Sequence, residues 1–250
     1  MKLTILLAGE NPPALHGNFE PYANKFERMF SKADPSFSFE RIEVHAGEKI
    51  PGHEQLEAVI VTGSAAGVYD NLDWMGHLRS FVRKAHAANL PMLGICFGHQ
   101  MIADALGGQV IKSPKGWGLG RHVYRMQTVP DFFPADIEEL ALAASHKDQV
   151  IRPPHDARVF LSSRFTPNAG LVYTNGTTMS MQPHPEFDSE YSAAIFELRR
   201  GNPLTEAQVD AAVKTLEIPV DNDLVAVALA EFFKTAKKFR PSEPTGFNPQ

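Results

Sequence analysis

The chain of 250 residues holds one cysteine, Cys96, within Gly94-Ile95-Cys96-Phe97-Gly98-His99-Gln100, where an apolar run gives way to a helical pattern. A thiol at a sharp strand-to-helix turn faces the N-terminal N–H groups of the following helix, which favour the thiolate. The glycines on either side permit the tight turn. Burial as a small hydrophobe is the commoner fate of an unpaired cysteine, and what argues against it here is a second segment, Gln182-Pro183-His184-Pro185-Glu186-Phe187. His184 can take up and return a proton, and Glu186 can orient the imidazole and stabilise its charged form. Side chains two apart in an extended chain share a face, and Pro185 restricts the backbone between them. A cysteine so equipped attacks a carbonyl carbon and forms a thioester, with no cofactor needed. The negative charge that develops would be met by the backbone N–H of Phe97 and by another from Gly63 or Ser64 in Thr62-Gly63-Ser64.

Positioning these groups requires strands that end at a common edge. Leu3 to Leu7, Ala58 to Val61 and Met92 to Ile95 are short apolar runs of the kind buried on both faces of a sheet, and Phe37 to Val44 alternates like a strand. Phe26, Met29 and Phe30 define one face of a helix over about Tyr22 to Lys32. Leu78, Phe81, Val82 and Ala85 define another, and Ile102, Ala105 and Leu106 a third that Gly107-Gly108 stops. Val110 to Lys112, Arg121 to Met126, Ala157 to Ser162 and Gly170 to Tyr173 read as short strands of an antiparallel or mixed extension. Beyond Asp188 the pattern is helical again. Thr205-Glu206-Ala207-Gln208 forms a capping box with Leu204 and Val209 as its hydrophobic staple. Val225, Ala228, Leu229 and Phe232 make a last apolar face, followed by Lys234, Lys237, Lys238 and Arg240 as a solvated basic end. The alternation predicts an α/β fold, a mainly parallel open sheet flanked by helices, with an accessory β segment and C-terminal helices. It predicts one domain over 1–240 and a flexible tail over 241–250.

A net charge of −5 supplies no basic field for nucleic acid. A hydrophobic content of 43% with 21% charged residues fits an ordinary globular chain. No stretch approaches the length of a membrane span, Gly9 and Glu10 interrupt the first apolar run, and a lone free thiol is at ease in a reducing compartment, so the expectation is a cytoplasmic protein. His53-Glu54-Gln55-Leu56-Glu57 lacks the second helical histidine of a zinc site, and no metal is assigned. Gly116-Trp117-Gly118-Leu119-Gly120 is followed by a β pattern, so it reads as a turn or bulge rather than a phosphate cradle. Trp74 reads as packing.

The nucleophile segment and Gln182 to Phe187 resemble those of the class I glutamine amidotransferases, whose fold is flavodoxin-like. Ser145-His146-Lys147-Asp148-Gln149-Val150 resembles the family's Ser-His-x-Asp-x-Val segment, and Val61-Thr62-Gly63-Ser64 stands where its oxyanion loop is expected, although the family more usually follows Thr-Gly with another glycine or a proline. The resemblance implies that Cys96 is the nucleophile, that His184 and Glu186 complete its triad, and that Gln100, Ser145 and His146 help bind a glutamine-like substrate. It implies hydrolysis of the γ-amide of glutamine to glutamate and ammonia. The overall pattern looks most like stand-alone, short-chain members, some of which resemble γ-glutamyl peptide hydrolases. No phosphate loop or synthetase domain is evident, so any acceptor chemistry would come from a separate synthetase partner. A non-catalytic binding module on the same scaffold is the rival reading.

Overall fold

The computed structural model describes residues 1–239. Its nine-stranded sheet runs β2 (Ser38–Ile42), β1 (Lys2–Leu6), β3 (Ala58–Val61), β4 (Met92–Ile95), β11 (Thr178–Met181), β10 (Gly170–Tyr173), β9 (Ala157–Ser162), β6 (Gly118–Met126), β7 (Glu139–His146). The half from β2 to β11 is parallel, and the half from β11 to β7 is antiparallel. A separate ribbon pairs β5 (Gln109–Lys112) with β8 (Asp148–Arg152). Helices α2 (Asp73–Ala87) and α3 (Phe97–Ala105) cover one face. Helices α1 (Tyr22–Ala33), α4 (Ser189–Leu198), α5 (Glu206–Thr215) and α6 (Asn222–Lys238) pack on the other. The expected α/β architecture, with its β extension and C-terminal helices, is the one present.

Strands β3 and β4 are apolar runs because both of their faces are covered, and every residue of β3, β4 and the Thr-Met-Ser-Met strand β11 is buried. Their register places Val61 opposite Gly94 and Ile95 opposite Met181. The three C-terminal ends therefore lie side by side, and the segments that follow, at Thr62, Cys96 and Gln182, emerge together at the edge where open α/β sheets bind ligands.

Strands β7, β8 and β11 were not expected from the residues. Glu-Leu-Ala-Leu-Ala-Ala in β7 is composed of good helix formers, and tertiary pairing overrides that preference. One edge pairs with β6. On the other, the Ala141 N–H donates to Asp221 (2.7 Å), the Ala141 carbonyl accepts from the Asp221 N–H (2.8 Å), and the Ala143 carbonyl accepts from the His184 N–H (2.9 Å). The capping box at Thr205 forms as expected. At the basic end of α6, Lys234, Lys237 and Lys238 are exposed as expected, and Lys234 pairs with Asp34 at 2.6 Å and Lys237 with Glu57 at 3.4 Å, tying α6 to the parallel half. Arg240 and the expected tail lie outside the described residues. Among the described residues, no helix is long and apolar enough to cross a membrane.

The two glycines around Cys96 serve the expected tight turn through close packing rather than through their own backbone angles. Neither has a positive φ; the positive φ, 52°, belongs to Cys96 itself. A Cβ on Gly98 would fall 2.0 Å from the Val61 carbonyl oxygen, and one on Gly94 would fall 2.5 Å from that of Gly98. The glycines let α3 sit directly on β3 and β4. Gly98→Ala should accordingly destabilise the fold by about 1–3 kcal/mol through overpacking. Gly76→Ala, on the exposed side of α2 with nothing within 4 Å, should stabilise it by about 0.5–1 kcal/mol. Urea midpoints of the two variants test this, and equal midpoints would contradict the packing role.

Candidate active site

Cys96 joins β4 to α3 at φ 52° and ψ −99°, a conformation that costs a non-glycine residue on the order of 1–3 kcal/mol. Two backbone bonds hold the turn, from the Cys96 N–H to the Met181 carbonyl (2.8 Å) and from the Gly98 N–H to the Thr62 carbonyl (3.1 Å). Cys96 is only 6% exposed, yet it borders two cavities. Phe97 begins α3, so its N–H has no intrahelical partner and lies beside the sulfur-bearing residue.

The His184 ring stacks on Phe187 with centroids 4.0 Å apart and planes 7° from parallel, and its Nδ1 is 2.7 Å from Glu186 Oε1. Both side chains are buried. Burial alone would favour the neutral imidazole, but the Glu186 carboxylate and the Cys96 sulfur outweigh it and hold the His184 pKa well above its ordinary 6.5. The sign follows directly. A raised pKa means that the charged pair contributes stability fully present below about pH 6.5 and lost as the pH climbs through the elevated value.

Three further residues complete the site, and none was assigned a role from the sequence. The Gln182 amide donates to Cys96 Sγ at 3.5 Å. The Tyr22 hydroxyl donates to Glu186 Oε1 at 3.0 Å and accepts from the Gly63 N–H at 3.1 Å, bridging the Glu186 carboxylate and the loop after β3. Arg199, just after α4, donates to Ser145 Oγ at 3.0 Å and lies over the Trp117 ring at 5.0 Å. It borders both cavities without a carboxylate partner among the described residues, and burial lowers its pKa. Gln182 had a signal in its place beside the His-Pro-Glu segment. Arg199 carries no such signal, and its neighbour Arg200 is engaged elsewhere, pairing with Glu197, Glu206 and Asp210.

The expected oxyanion loop is adjacent to the cysteine, but its N–H groups are not equivalent. A Cβ on Gly63 would fall 2.6 Å from the Tyr22 hydroxyl and 3.2 Å from His184 Cε1, so the loop reaches the site because residue 63 is glycine. The Gly63 N–H is engaged by Tyr22. Ser64 and Phe97 carry the remaining N–H groups of the expected oxyanion set. Gln100 and His146 are also committed to protein partners. The Gln100 amide donates to Gln182 Oε1 and to the Asp148 carbonyl, both at 3.1 Å, and the residue borders the larger of the two cavities. His146 bonds the Asp148 carbonyl through Nδ1 (3.1 Å) and Thr166 through Nε2 (3.4 Å), and burial depresses its pKa to about 3. His146 also borders the larger cavity. Ser145 borders both cavities and holds Arg199. Trp74 is 5.5 Å from the Phe97 ring, a packing contact. Among the described residues, no group of three or more His, Cys, Asp or Glu is placed to hold a metal ion.

The model of the glutamine amidotransferase class-I family matches residues 21–198. The chain is 30% identical over 181 residues to a glutamine amidotransferase-like protein of Schizosaccharomyces pombe, covering 71% of this chain and 72% of that one. It is 31% identical over 148 residues to gamma-glutamyl peptidase 2 of Arabidopsis thaliana, covering 58% of this chain and 59% of that protein's length. It is 28% identical over 167 residues to a glutamine-hydrolyzing GMP synthase subunit of Sulfolobus acidocaldarius, covering 66% and 86% respectively. The crystal structure of a glutamine amidotransferase from Methylobacillus flagellatus superposes with a TM-score of 0.74 over all of this chain and 99% of that one, at 21% identity, and so shares its fold. The chain belongs to the class I glutamine amidotransferase family.

Replacing Glu186 by Gln removes the charge that opposes burial, so the His184 pKa should fall by roughly 1–3 pH units. Histidine NMR titrations of the two proteins measure this directly. An unchanged His184 titration would contradict the assigned electrostatics.

Proposed function

We propose that the protein hydrolyses the γ-amide bond of glutamine or of a γ-glutamyl compound through a thioester on Cys96. The observation that carries this reading is the meeting, at one sheet edge, of a strained cysteine with an imidazole held charged by its carboxylate. Attack of the thiolate on the γ-carbonyl would form a tetrahedral oxyanion facing the N–H groups of Phe97 and Ser64. Collapse would break the C–N bond as His184 protonates the departing nitrogen. Water would then attack the thioester, yielding its proton to His184 and releasing glutamate and the Cys96 thiolate. Arg199 is the cation available to the substrate's α-carboxylate, since a half-buried guanidinium without an acidic partner favours an anionic ligand. Tyr22 would act as a positioning residue, restraining Glu186 and the Gly63 peptide together.

The similarity to a gamma-glutamyl peptidase and to part of a GMP synthase supports the shared acyl chemistry, with two fates for the nitrogen. In the second, ammonia would pass to a synthetase carried by another chain.

Ammonia and free amine released from glutamine and from γ-glutamyl dipeptides, measured separately, test the reading. Cys96→Ala should reduce release by at least about 10⁴-fold. Arg199→Met should raise KM by roughly 10- to 100-fold with little change in kcat, the signature of lost uniform binding. Full turnover by the Cys96→Ala protein, or an Arg199 effect confined to kcat, would contradict the respective assignments.

A further inference from the structure

The two cavities that share Cys96 differ in chemistry. The larger, about 420 Å³, is bordered by Tyr69, Gln100, Ser145 and Asp148 and excludes His184. The smaller, about 80 Å³, is bordered by His184 and by Glu10, Pro12, Phe187, Tyr191 and Ile195. If Cys96 forms the thioester proposed above, the acyl half of the substrate stays on the sulfur while the amine departs, and His184 must reach the departing nitrogen. The acyl group is then assigned to the larger cavity and the amine to the smaller.

Ammonia is about the size of a water molecule, whose share of liquid volume is about 30 Å³, and it has no use for apolar walls. The His184-side cavity has both more room and such walls, from Pro12, Phe187, Tyr191 and Ile195. At its border stands Glu10, an exposed carboxylate with no ion-pair or hydrogen-bond partner among the described residues. The basic groups bordering the cavity are His184, committed to Glu186, and Arg199, which borders the larger cavity as well and is assigned above to the α-carboxylate of the acyl half. An amine with an anionic substituent would meet Glu10 unfavourably, and one with a cationic substituent would complement it.

From this juxtaposition we propose that the His184-side cavity is a leaving-group subsite for substituted amines, and that Glu10 makes it selective for amines carrying a second, positively charged nitrogen. The inference rests on the thioester reading and narrows its substrate to γ-glutamyl amides of such amines. Bond making and breaking balance without a further reactant. The C–N bond is replaced by the C–S bond, the nitrogen takes the proton from His184, and water completes hydrolysis.

Three amides with leaving groups of one length isolate charge from size: γ-glutamyl-ethylenediamine, γ-glutamyl-propylamine and γ-glutamyl-β-alanine, assayed beside glutamine for amine release and kcat/KM. The expected order is cationic, neutral, anionic, with about 10-fold between the extremes at low ionic strength. Glu10→Gln should flatten that order and Glu10→Lys should invert it. A preference for glutamine over all three amides, an anionic substrate equal to the cationic one, or an order unchanged in both variants would overturn the subsite while leaving the thioester reading intact. Absence of Cys96-dependent release from all four compounds would overturn both.

Discussion

The hydrogen bond from the Cys96 N–H to the Met181 carbonyl spans adjacent strand ends, and the geometry of the site depends on it. It forms because β4 and β11 are parallel neighbours in register, Ile95 opposite Met181. One strand end carries the cysteine and the other leads within three residues to His184. A one-residue slip would turn the alternating side chains to the opposite face and separate the two groups. The companion bond from Gly98 to Thr62 brings the third strand end to the same point and requires that residue 98 have no Cβ. Strain at Cys96 is thus held by sheet register and helix packing together, the arrangement that the proposed role as nucleophile requires of a strand-to-helix turn.

Electrostatics builds on that frame. Desolvation by itself would leave His184 neutral, and the buried carboxylate at 2.7 Å reverses the outcome. The same carboxylate takes the Tyr22 hydroxyl, which in turn holds the Gly63 N–H. Around the sulfur, Gln182 donates and Gln100 restrains Gln182. His146 and His99 show the opposite arrangement: each is buried without a nearby carboxylate, and burial depresses each pKa to about 3. The histidines differ through their partners more than through their depth.

Much of this was legible in the residues themselves. Continuous apolar runs located β3 and β4 with the bounds they have, and the Thr205 capping box located the start of α5, because these signals are local. β7 was not legible, since its alanines and leucines favour helix and its pairing with β6, Asp221 and His184 is long-range. Cys96, His184 and Glu186 stood out by type and spacing. Tyr22 did not, because its meaning lies in a contact 164 residues away. Arg199 was hidden beside Arg200, because sequence does not tell which of two adjacent arginines makes surface ion pairs and which borders the site. The hydrogen bonds of Gln100 to Gln182 and Asp148 were not legible either, because sequence carries its amide but not the partners that engage it.

The central claim is that Cys96 carries the acyl group. Acid-quenching the protein during turnover of a γ-glutamyl amide and mapping the mass of its peptides tests it most directly. The account predicts one glutamyl group on the peptide containing Cys96, released when the quenched protein is treated with hydroxylamine, and absent from the Cys96→Ala protein. Sustained turnover with no acyl group on that peptide at any quench time, or a glutamyl group on another residue, would contradict it.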